Sequence, residues 1–228
     1  MNCFAILIIA FFIIVTWDLY KKARVSSKMI EDLNEDKFFE IIDTIDDYTE
    51  RGKCKYAIYE LSNLLKRTKI TNSDEYSVDY TGRLILINQR LAYNYKYMKN
   101  YTLAITYFQK VIKLSQRKEI TRNITKQGEF EVNALLEIGN IYNILGEYDK
   151  AIEYLSKHEP EVYHRGFEFY IAQCYEEKGD AINAIKYYKI ELQNIEMGYT
   201  YSPMETEGDR IERKSIIKEK LEILSKNT

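Results

Sequence analysis

His158 and His164 are the two histidines of this 228-residue chain, and they stand six positions apart. On a helix that spacing turns them to different faces, and no HExxH pattern surrounds them. Cys3, Cys54 and Cys174 are odd in number and widely separated, so they suggest neither a metal framework nor a set of disulfides. The acidic pairs Asp46-Asp47 and Glu176-Glu177 are adjacent in sequence. Adjacent residues point in different directions on a helix and read as solvated surface. The chain has no Gly-rich phosphate loop, no GxSxG elbow and no Walker-type stretch. The expectation is therefore a chain with no catalytic residues, no metal site and no cofactor, and not an enzyme.

Charge narrows the partner class. The formal net charge is −2, yet residues 1–28 carry four basic residues and one acidic, while the remainder carries 29 basic and 34 acidic. A near-balanced soluble part makes no case for nucleic-acid binding. The local run Lys110, Lys113, Arg117, Lys118, Arg122 and Lys126 reads as a solvated helix face. Proline occurs twice and no low-complexity linker interrupts the chain, which favours a single all-helical unit after the amino-terminal segment.

The positioning elements announce themselves as a repeat. Leu135, Ile138, Tyr142 and Leu145 fall on one face of a helix. Gly139 sits among them as a small residue where two helices must approach, and Gly146 stands where the helix should stop. Tyr148, Ala151 and Leu155 then open a second helix. The pattern returns 33 residues later, with Ala172, Tyr175, Gly179 and Ala184 in place of Gly139, Tyr142, Gly146 and Ala151. Earlier copies run through Leu91, Ala92, Tyr95, Tyr101, Ala104 and Phe108, with Lys99 at the turn-glycine position, and through Ile45, Tyr48, Gly52, Cys54, Ala57 and Leu61. This pattern resembles the tetratricopeptide repeat, a helix-turn-helix unit of about 34 residues.

The resemblance implies an all-α, tetratricopeptide-like solenoid of about four helical hairpins, over 38–71, 85–118, 132–164 and 165–198. The alanines Ala57, Ala104, Ala151 and Ala184 are spaced 47, 47 and 33. The two long intervals exceed the family period and read as longer helices plus longer connections, at about Asn72 to Leu84 and Glu119 to Glu131. On repeat core positions Cys54 and Cys174 act as small hydrophobes. Ser202-Pro203-Met204-Glu205 reads as a capping box opening a closing helix over 202–226. Its stripe of Ile217, Leu221 and Leu224 hides the last open face of the stack.

Residues 1–20 form a different element. Cys3 to Trp17 is apolar apart from Thr16, about 22 Å at helical rise and near spanning length once its flanks are added. Trp17 and Tyr20 suit an interface, and Lys21, Lys22, Arg24 and Lys28 follow in a basic connector over 21–37. No Lys or Arg precedes residue 21, so an uncleaved transmembrane helix is expected in preference to a cleaved signal peptide. The charge bias directs the bulk of the chain to the cytoplasm.

By resemblance, such repeats bind a protein or peptide along the first helix of each unit. That places Arg90, Tyr93 and Tyr97 on the partner-binding groove, then Glu137, Asn140 and Asn143, then Tyr170, Gln173 and Glu177. Amides can bond an extended backbone, and tyrosine supplies rigid contact area. The expected function is a membrane-anchored, single-pass adaptor or scaffold for a protein partner at the cytoplasmic face. The alternatives are an exported envelope protein aiding assembly outside the cytoplasm, and a regulator of an enzyme partner.

Overall fold

The computed structural model describes residues 33, 35–71, 78–117, 124–157, 166–198 and 206–226. Among the described residues there are nine helices and no strand. They divide between two compact units, residues 1–100 and residues 101–228. The expected transmembrane helix of residues 1–20, His158 and His164 lie outside the described residues, as does most of the basic connector. The connector's end, expected at residue 37, falls inside the first helix. No helix among the described residues is long and apolar enough to cross a membrane.

The first unit contains α1 (Glu35–Glu50), α2 (Cys54–Thr71) and α3 (Val78–Tyr97), each packed on the next. Phe38, Ile42 and Ile45 recur at helical spacing and are the buried face of α1. They join Ala57, Leu61 and Leu64 of α2 and Ile85, Ile87, Leu91 and Ala92 of α3 in the core. Each large apolar side chain removed from water in this way contributes roughly 1.5–3 kcal/mol.

The second unit contains α4 (Tyr101–Ser115), α5 (Ile124–Ile144), α6 (Tyr148–Leu155), α7 (Phe167–Glu177), α8 (Ala181–Glu196) and α9 (Glu207–Lys226). Again each helix packs on its successor. The long intervals of the repeat are taken up by longer helices of both kinds: α2 runs 18 residues and α4 runs 15, against 8 for α6. α3 runs 20 residues and α5 runs 21, against 11 for α7.

One device ends four of these helices in the same register. Gly52, Lys99, Gly146 and Gly179 have φ of 71°, 58°, 73° and 77°. In each case the following N–H donates five residues back: Lys53 to Tyr48, Asn100 to Tyr95, Glu147 to Tyr142 and Asp180 to Tyr175, at 2.7–2.9 Å. This satisfies carbonyls that the helix end would otherwise leave bare. The four alanines that follow, Ala57, Ala104, Ala151 and Ala184, are all fully buried.

Among the described residues the closing helix begins at Glu207. Thr206 caps it: its Oγ1 accepts from the Asp209 N–H at 3.2 Å, and the Asp209 carboxylate accepts from the Thr206 N–H at 2.8 Å. The expected cap at 202–205 lies outside the described residues; a reciprocal pair of that kind forms at Thr206 and Asp209. Ile217 is the buried anchor of α9, with Leu221 and Leu224 packed against the last hairpin. Ile216 and Ile223 face solvent.

Candidate functional site

The first-helix positions differ in how free they are. In the first unit Arg90 is already engaged. Its Nε and Nη2 donate to the two carboxylate oxygens of Asp46 at 3.2 and 3.0 Å, and its Nη1 donates to Gln89 at 3.1 Å. One turn further along α3, the Asn94 amide donates to Thr49 Oγ1 and to the Arg90 carbonyl, both at 3.0 Å. α1 and α3 are thus tied side by side by Arg90, a residue expected to meet a partner, and by the buried Asn94. Tyr93 is half-buried and has contacts of its own, whereas Tyr97 is 64% exposed.

In the second unit Glu137, Asn140 and Asn143 lie on α5, and Tyr170, Gln173 and Glu177 on α7. Tyr170 stands edge-on to Phe169, with ring centroids 5.8 Å apart, and packs against the core around Phe167 and Ile171. Its ring belongs to the packing more than to a free surface. Asn140, Asn143 and Gln173 are half-buried, and their side-chain amides make no hydrogen bond among the described residues. Those amides can pair with an incoming backbone. Glu177 is exposed.

Glu176, read from sequence as solvated surface, is a connecting group. Its Oε2 accepts from the Tyr188 hydroxyl at 2.7 Å and its Oε1 accepts from Lys220 at 2.6 Å. It therefore joins both helices of the last hairpin to α9. The signal was available in the repeat itself, because Glu176 stands 33 residues after Asn143 on the same helical register. With Lys214 on Glu196 at 3.0 Å, the closing helix is held by charge as well as by Ile217.

Aromatic pairs brace the two hairpins. Tyr142 stacks on Tyr154 and Tyr175 on Tyr187, both with centroids 5.5 Å apart. Burial pushes the Tyr142 and Tyr175 hydroxyls up, and the neighbouring tyrosine adds to it. Lys150 and Lys178 lie over the rings of Tyr142 and Tyr175.

A concavity of the first unit lies elsewhere, at the turn between α1 and α2. A cleft of about 770 Å³ is lined by Thr49, Glu50, Lys53, Cys54, Lys55 and Tyr56 from the turn, and by Tyr97 and Met98 from the end of α3. Tyr56, Tyr97 and Met98 are 67%, 64% and 40% exposed, an unusual gathering of large apolar groups at the surface. Tyr97 belongs to this cleft, while Arg90, two turns back on α3, is locked to Asp46. Tyr56 escaped the sequence reading because it sits beside the core residue Ala57 on a helix, one step off the apolar face. Among the described residues no group of three or more His, Cys, Asp or Glu could hold a metal ion.

The tetratricopeptide repeat family profile matches residues 86–118 and 132–157, which are the α3–α4 and α5–α6 segments. The chain carries tetratricopeptide repeats. Repeats of this kind are scaffolds for protein–protein interaction. No curated protein matches the chain. Among solved structures, the crystal structure of MamA protein matches with 21% identity over 74% of this chain and 97% of that one, at a TM-score of 0.40.

Proposed function

We propose that this chain is a non-enzymatic, membrane-anchored adaptor that holds a protein or peptide partner at the cytoplasmic face. The carrying observation is the repeat array, with the free amides of Asn140, Asn143 and Gln173 on its first helices. The apolar run from Cys3 to Trp17, followed by Lys21, Lys22, Arg24 and Lys28, supports the anchor and its orientation. The balanced charge of the rest of the chain speaks against nucleic acid as the partner.

The test is affinity capture from detergent-solubilised membranes, paired with protease protection of a tag at Thr228. A stoichiometric protein partner that is lost on replacing Asn140 and Gln173 by alanine, with the tag protected in intact cells, is the expected result. No stoichiometric partner, together with reproducible turnover by the purified chain, would overturn the adaptor. A tag digested in intact cells would place the repeats outside the cytoplasm.

A further inference from the structure

The cleft between the α1–α2 turn and the end of α3 shares Tyr97 with the expected groove but none of the amides of Asn140, Asn143 and Gln173. We propose that it is a docking site for an acidic peptide segment bearing one aromatic or long aliphatic anchor. The inference rests on the reading of the chain as a holder of protein partners and names the chemistry of one of them.

Three observations converge on it. The walls are apolar and exposed: Tyr56, Tyr97 and Met98 stand around the buried Cys54. Leaving such groups in water is unfavourable, and a concave space of 770 Å³ accepts a large side chain. The rim is basic. Residues 47–56 and 96–99 contain Arg51, Lys53, Lys55, Lys96 and Lys99 against Asp47 and Glu50, net +3 in a chain whose total is −2. With Arg51 paired to Asp47, Lys53 and Lys55 remain on the lining. Charge of this sign steers an acidic segment to the site and selects against basic ones.

The third observation comes from the repeat. Lys55 and Met98 have equivalents at Asp149 and Lys178 by the register of the four alanines. In the second unit those two side chains form an ion pair. In the first unit a lysine and a methionine stand there instead, a combination that cannot form such a pair and leaves the lysine's charge to an acidic ligand. An anionic membrane is the other surface that basic and aromatic groups favour. The concave shape and Glu50 on the lining favour a peptide side chain over a flat anionic sheet.

The probe is a fluorescent eight-residue peptide with a central phenylalanine flanked by glutamates, titrated against the full chain in detergent. Its counterpart carries lysines in place of the glutamates. Saturable binding of the acidic peptide is expected, weakened at least tenfold by K53E/K55E and by Y56A/Y97A, with the helical signal unchanged. Raising the salt concentration should weaken it as well. Equal binding of both peptides, or binding indifferent to both double variants, would overturn the cleft. So would preferential binding to vesicles of phosphatidylserine and phosphatidylcholine, which would make the patch a membrane contact. Loss of the captured partner on replacing Asn140 and Gln173, with peptide binding intact, keeps the two surfaces separate. Peptide binding without any captured partner would remove the adaptor reading while leaving the cleft's chemistry in place.

Discussion

Leu155 occupies the space that a side chain on Gly139 would need. A Cβ built on Gly139 would lie 2.5 Å from Leu155 Cγ and 2.6 Å from its Cδ2, and Leu155 is fully buried. The same position holds Ala92 in the preceding repeat and Ala172 in the following one, where Ala172 packs in one cluster with Tyr188. α5 and α6 are therefore closer at this crossing than a methyl group permits.

Gly139→Ala should destabilise the second unit despite improving helix propensity, because Leu155 must shift within a packed core. Gly139→Leu should cost more. Overpacking of this kind costs on the order of 1–3 kcal/mol, against a propensity gain of about 1 kcal/mol for Gly→Ala. Denaturant melts of the two variants check it. An unchanged or raised midpoint for the alanine variant would mean that Leu155 has room to move.

Lys99 is the one non-glycine among the described residues with positive φ, at 58°, and it occupies the position that Gly52, Gly146 and Gly179 hold elsewhere. A left-handed conformation costs an ordinary residue about 1–2 kcal/mol. Glycine removes that strain and adds about 0.5–1 kcal/mol of unfolded-state entropy. Lys99→Gly should therefore stabilise the chain by about 0.5–1 kcal/mol. The melting temperature of the variant is the measurement, and a decrease would show that Lys99 earns its place through a contact.

What a sequence displays well is a residue type at a spacing. The four alanines and the turn residues recur at 47, 47 and 33, and the fold follows that period. Pairings between stacked helices have no such local signature. Arg90 meets Asp46 across 44 positions and Lys220 meets Glu176 across 44, and nothing near either residue announces its partner. The cap of α9 shows the complementary limit. Ser202 to Glu205 and Thr206 to Asp209 both carry the spacing of a capping box, so local pattern alone does not choose between them. The candidate site suffers most from this. Helical register marked Arg90 and Tyr170 as outward, but the neighbouring helix or residue claims both, whereas Asn140, Asn143, Gln173 and Tyr97 keep groups available.

The Arg90–Asp46 pair has a measurable consequence. Both side chains are about a third exposed, at 29% and 37%, so screening limits the pair to about 1 kcal/mol or less. Arg90→Glu should destabilise the first unit, because it sets a second carboxylate against Asp46 and removes a bond from Gln89. Adding Asp46→Arg should recover part of the loss. A double-mutant cycle by thermal melting measures the coupling. A value near zero would return Arg90 to the set of free partner-binding groups.

The last hairpin should be sensitive to alkali. Cys174 and Tyr188 are both fully buried. Burial pushes the Cys174 thiol up to about 11. Burial and then the hydrogen bond to Glu176 push the Tyr188 hydroxyl up as well. Each group is held neutral by the fold, so its contribution is fully present below its unfolded pKa, about 8.5 for the thiol and about 10 for the phenol. It is lost as pH rises from there towards the folded value. The denaturation midpoint of the second unit should fall above about pH 8.5 and more steeply above about pH 10. Cys174→Ala should delay the onset. Tyr188→Phe should flatten the steep limb, at a cost of about 1 kcal/mol near neutral pH, where Glu176 loses a donor. Midpoints followed by circular dichroism across this range test both groups together. A midpoint that stays flat to pH values above the ordinary phenol range would mean that thiol and hydroxyl ionise without opening the hairpin.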